Sequence, residues 1–99
     1  MLHTVNKSPY SSDSLKTCAG YLRAGDALIF IEDGVYGAMK GGASDALVSG
    51  MGDTKIYALG PDLKARGIGG DKLIDGVEVV GFDGFVELVA ASDKVQNWL

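Results

Sequence analysis

The sequence has one cysteine, one histidine and two prolines, against fifteen glycines. A lone cysteine, Cys18, excludes an intrachain disulfide, and an unpaired thiol fits a reducing compartment. With His3 as the only histidine, any metal site or His-based triad has to be built around it. No clustered Cys, His or carboxylate spacing supplies the three or four ligands of a zinc ion, and hydrolase chemistry has nothing to rest on. Basic clusters are missing too: nine Lys and Arg are scattered among thirteen Asp and Glu, for a net charge of −4. That balance argues against direct nucleic-acid binding, which needs a cationic stripe to displace counterions from phosphates. No apolar run approaches the roughly 20 residues of a membrane span. Met1-Leu2-His3-Thr4-Val5 has neither the charged n-region nor the apolar h-region of a signal peptide. The expectation is a cytoplasmic chain needing no metal and no cofactor.

What is present is apolar material. At 99 residues the chain is one domain, 1–99, in which 46% of residues are hydrophobic and mean hydropathy is +0.15. A domain this small covers only part of its surface with its own core. The excess points to apolar surface committed to a subunit interface.

Leu2 to Val5 reads as a first strand, and Asn6 to Ser12 as a loop. Asp13 or a neighbouring serine caps a helix running to about Arg23; its apolar positions Leu15, Cys18, Ala19 and Leu22 follow the i, i+3, i+4, i+7 pattern of one face. Ala27 to Ile31 is a near-continuous apolar run, as for a strand covered on both sides. Val35 to Met39 begins a second helix. Gly41 to Gly52 is rich in small residues and reads as a loop with a helical turn near Ala46 and Leu47. Lys55 to Leu59 is a third strand, and Pro61 to Arg66 a short helix opened by Pro61 and Asp62 and closed by Gly67. Val77 to Val80 is a fourth strand, followed by a helix of about ten residues carrying Phe82, Phe85, Val86 and Val89. Val95, Trp98 and Leu99 repeat a helical spacing after Ser92; Trp98 and Leu99 are expected to pack on the domain or on a partner. Alternating strands and helices predict an α/β fold, a three-layer sandwich around a mostly parallel sheet.

The chemical candidates are few. Cys18 is a thiol able to carry sulfur as a persulfide if it is accessible and its pKa lowered. Its place on the apolar face of the helix favours a core thiol instead. Glu32 and Asp33 stand at the carboxyl end of the second strand, where open α/β sheets place ligands. Adjacent carboxylates on extended chain diverge, however, and Asp33 is expected to cap the next helix. His3 reads as a packed strand residue. Gly50-Met51-Gly52 and Gly67-Ile68-Gly69-Gly70 match neither the dinucleotide fingerprint nor the P-loop and read as turns.

Four stretches together carry a resemblance: Met1-Leu2-His3-Thr4-Val5-Asn6-Lys7-Ser8-Pro9; Ile31-Glu32-Asp33-Gly34-Val35-Tyr36; Lys55-Ile56-Tyr57-Ala58-Leu59-Gly60-Pro61-Asp62-Leu63-Lys64-Ala65-Arg66-Gly67; and Val95-Gln96-Asn97-Trp98-Leu99. In this order they resemble the DsrH/TusB family of sulfur-relay subunits, over essentially the whole chain. The resemblance implies a DsrE-like, flavodoxin-like sandwich. It also implies a subunit that assembles with homologous DsrE/TusD-like and DsrF/TusC-like proteins and passes persulfide sulfur to a DsrC/TusE-like carrier. That sulfur serves tRNA 2-thiouridine formation in one branch and dissimilatory sulfur oxidation in the other. The main sulfur-accepting cysteine is implied to lie in the DsrE/TusD-like partner. Cys18 is implied as a secondary carrier, and a cysteine in the first helix leans towards the sulfur-oxidising DsrH branch. A purely structural subunit with Cys18 inert, a homo-oligomer of the isolated chain, and a stand-alone small-ligand binder remain as alternatives.

Overall fold

Five short apolar segments supply the strands, and their pairing fixes the architecture. In the computed structural model, which describes residues 1–99, β1 is Leu2–Val5, β2 Ala27–Phe30, β3 Lys55–Leu59, β4 Val77–Val80 and β5 Val95–Trp98. They form one sheet of order β4-β3-β2-β1-β5, with every neighbouring pair parallel. The helices are α1 (Ser14–Ala19), α2 (Asp45–Ser49), α3 (Gly60–Ala65) and α4 (Phe82–Ala91). Two 3₁₀ segments, Glu32–Ala38 and Gly70–Lys72, complete the set.

The strand order decides which face each helix covers. From β1 to β4 the chain steps across the sheet in one direction, and β5 then returns to the far side of β1. Right-handed crossovers therefore put α1, the Glu32–Ala38 segment, α2 and α3 on one face and α4 on the other. Burial agrees. Aligned residues such as Val5, Phe30 and Ala58 point to the first face and belong to a 14-residue core with Leu15, Cys18, Val35, Val48 and Leu63. Leu2, Ile29 and Leu59 alternate to the second face; they are buried but lie outside that cluster.

Two glycines sit where elements approach closely, Gly34 against backbone and Gly84 against a side chain. A Cβ on Gly34 would collide with the carbonyl oxygen of Val5, so the turn after β2 lies flat on the end of β1. A Cβ on Gly84 would press on Val80, so α4 sits close over β4.

Three expectations from the sequence are corrected. The tail is the strand β5 rather than a helix: its local spacing fits either form, and pairing along β1 from Leu2↔Val95 to Val5↔Trp98 decides. The first helix is shorter, because Gly20 closes it. The second helix is a 3₁₀ segment that starts at Glu32, with Ile31 at its N-cap, so Asp33 caps nothing. Of the terminal pair, Trp98 packs against the core, whereas Leu99 is 83% exposed.

Candidate functional site

Cys18 occupies the inward face of α1 beside Leu15 and is completely buried. Desolvation pushes its thiol up to about 12, and the negative charge of Asp26 adds to the rise. At neutral pH the thiol is then held in its protonated form. Thiol exchange needs both a thiolate and an open approach to sulfur, and in this conformation Cys18 has neither.

Asp26 organises the neighbouring cluster. It stands just before β2 and is 8% exposed. Its Oδ2 accepts from His3 Nε2 at 2.8 Å and from the Arg23 backbone N–H at 3.0 Å. Its Oδ1 lies 3.2 Å from the Met1 ammonium. Burial alone would raise this carboxyl; the hydrogen bonds from His3, Arg23 and the ammonium outweigh it and bring Asp26 down to about 2. On the other side of the imidazole, Trp98 Nε1 donates to His3 Nδ1 at 3.0 Å. An indole N–H can only donate, so Nδ1 is the acceptor and the proton sits on Nε2, facing Asp26. The His3 and Trp98 rings stack with centroids 6.2 Å apart, and Tyr21 leans on Trp98 at 5.4 Å. An open cleft of about 700 Å³ lies over this network, with Thr17 and Gln96 at its rim. Both imidazole nitrogens are engaged and the ring is buried. His3 thus fastens β5 to β1 and is not poised as a base.

At the carboxyl end of the sheet, Glu32 takes a positive φ of 50°. Its N–H donates to Asp62 Oδ2 at 2.7 Å, so the first turn of α3 holds the strained residue in place. Asp33 is drawn away to Arg66, whose Nη2 and Nε lie 2.9 and 3.0 Å from Asp33 Oδ1. The pair lies in a 3₁₀ segment rather than on extended chain, and with Asp33 held by Arg66 no contact joins the two carboxylates as an acid/base pair. Asn6 Oδ1, at the end of β1, is buried without a hydrogen-bond partner. The 41–52 stretch contains α2; Asp45 at its start accepts from the Gly41 N–H and from Ser49 Oγ, which lowers its pKa.

No three His, Cys, Asp or Glu side chains are grouped to hold a metal ion, and no helix is long and apolar enough to cross a membrane. Sequence reasoning named Cys18, His3, Glu32 and Asp33 but missed Asp26 and the His3–Trp98 bond. Asp26 follows Gly25 and reads locally as a turn residue, and no spacing rule connects residues 3 and 98.

Comparison with known proteins gives a consistent result. A family described as "DsrH like protein" matches residues 7–95. Protein TusB of Pectobacterium atrosepticum is 36% identical over 100 residues, covering 99% of this chain and all of that protein. Protein TusB of Photorhabdus laumondii is 34% identical over 98 residues, with the same coverage. Among solved structures, the ychN protein from E. coli superposes with a TM-score of 0.80 over 97% of each chain at 19% identity, a likeness of fold.

Proposed function

Since this chain belongs to the DsrH family, which includes the TusB proteins, we propose that it works as one subunit of a sulfur-relay complex. Within that complex its contribution is shape and contact surface. The observation that carries this reading is the full-length likeness to the TusB relatives, joined to a chain whose one thiol is buried and protonated. Its partners are homologous DsrE/TusD-like and DsrF/TusC-like subunits. The former holds the sulfur-accepting cysteine, and sulfur leaves as a persulfide for a DsrC/TusE-like carrier. The transfer is attack of a thiolate on the outer sulfur of a persulfide, which expels the donor as a thiolate and leaves the acceptor as the new persulfide. No cofactor or metal enters that step, and the setting is the cytoplasm.

Reconstitution tests the reading. With both companions and the carrier present, persulfide should reach the carrier only when this chain completes the complex. Equal transfer without it would overturn the proposal. Deleting the gene distinguishes the branches: loss of 2-thiouridine from tRNA places the chain in the thiolation route, and loss of sulfur oxidation places it in the other.

A second reading makes Cys18 a secondary sulfur carrier, favoured by its place in the first helix, where the sulfur-oxidising relatives resemble this chain. It requires α1 to unpack so that the thiol is both exposed and ionised. Intact-mass measurement of the assembled complex after exposure to a persulfide donor decides between the two. A structural thiol gains no sulfur, and Cys18→Ala transfers at the unaltered rate; one added sulfur on Cys18 establishes the carrier role instead.

A further inference from the structure

The helix α4 covers its face of the sheet and still leaves an apolar stripe in solvent. None of its ten residues is buried. Phe85 and Leu88 are half-buried, whereas Phe82 and Val86 are more than 60% exposed and Val89 is 40% exposed. Phe82, Val86 and Val89 stand at i, i+4 and i+7, one line along the helix. Val95, also exposed, shares the sheet face that α4 crosses. Three large apolar side chains in one exposed line along a helix exceed the scattered single exposures of an ordinary surface.

We propose that this stripe is the docking surface for a non-identical chain that presents an apolar face bordered by Lys or Arg. The charge around the stripe selects that partner. Asp83 and Glu87 are the only charged residues of α4 and both are exposed. At 100° per residue they line one flank of the stripe. Glu78 on β4, on the sheet face beneath α4, is exposed as well. No basic residue occurs on the helix. Pairing with a second copy through antiparallel α4 helices would set the acidic flank of Asp83 and Glu87 against its equivalent, between chains that each carry a net −4. Like charges brought together at an interface select against that pairing, and opposite charges favour a basic-bordered partner and speed its approach.

This inference rests on the subunit reading above and assigns one surface and one chemistry to it. The test co-expresses the full chain with its two homologous companions and measures assembly affinity for the wild type, Val86→Asp, and the double reversal Asp83→Lys with Glu87→Lys. All three positions are solvent-exposed, so thermal unfolding of the isolated variants should stay close to that of the wild type. Val86→Asp is expected to weaken assembly about 30-fold, the scale of a central interface residue. The double reversal is expected to weaken it about tenfold and to remove the salt sensitivity of the wild-type complex. If the wild-type complex forms and both variants assemble equally well, α4 is not the docking surface, and the subunit reading stands. If the isolated chain dimerises and Val86→Asp abolishes the dimer, the occupant is a second copy and the proposal fails. If the wild-type chain forms no complex at all, the subunit reading itself falls, and this inference with it.

Discussion

The two faces of the sheet are finished to different degrees. Over the first, α1, the Glu32–Ala38 segment, α2 and α3 close a 14-residue core in which Val5, Leu28, Phe30, Val35 and Ala58 have no solvent contact. Over the second, α4 alone shields Leu2 and Ile29, and its own outer side carries Phe82 and Val86 in water. The same residue type thus holds the fold together on one face and is spare on the other. A face closed within the chain marks where stability resides. A face closed only halfway marks where the excess apolar composition was left.

Substitutions can break or sharpen this contrast. The largest effect is expected from Phe30→Ala, at the centre of the closed face: about 3–5 kcal/mol of lost stability by urea denaturation, enough to unfold a domain of this size at moderate temperature. A smaller loss on Phe30→Ala would mean that the core is looser than its burial indicates.

The next effect comes from Asp26. Its folded pKa of about 2 lies below the ordinary 3.8, so the carboxylate stabilises the fold above the unfolded value. That contribution disappears as pH falls from about 5 towards 2. Screening by the cleft's solvent keeps it below about 2 kcal/mol. In Asp26→Asn the same acid titration should be visibly flatter, and an unchanged acid limb would show that other carboxylates govern it. Trp98→Phe should follow at about 1–2 kcal/mol, because it leaves the buried Nδ1 of His3 without its donor. Fraying of β5, read by amide exchange of 95–98, is the signature to look for.

The smallest effect is expected on the open face. Phe82→Ala should alter the stability of the isolated chain by no more than about 0.5 kcal/mol. Compared with Phe30→Ala it measures the difference between the faces directly, and equal costs at the two phenylalanines would abolish the distinction.

How much of this was legible beforehand follows from the range of each interaction. β1 to β4, α3 and α4 are specified by runs and spacings within ten residues, and their positions are visible in the chain. The strand β5 is not, because Val95-Gln96-Asn97-Trp98 becomes a strand only through its partner β1. Asp33 looked like a cap since local rules favour it before a helix; Arg66, thirty-three residues on, took its carboxylate. The helical spacing of Leu15, Cys18 and Leu22 did announce an inward-facing thiol. The magnitude of its pKa rise could not be read, because it depends on packing and on Asp26, a residue with no local mark. The half-covered face was foreshadowed only as surplus hydrophobicity without an address.

The pairing of β5 with β1 has a consequence in time. β1 is made some ninety residues before its neighbour on that side. At synthesis rates of about 5–20 residues per second, the outer backbone of β1 waits seconds without its ladder partner, while β2 and β3 are already available on its other side. An apolar strand edge left open in this way is a template for strands of other nascent chains. The contact that closes it is of the highest sequence separation in the sheet, the slowest kind to form. His3 and Trp98 latch the strand pair that closes this edge, and a chain that stalls before residue 95 leaves that side of β1 without its partner.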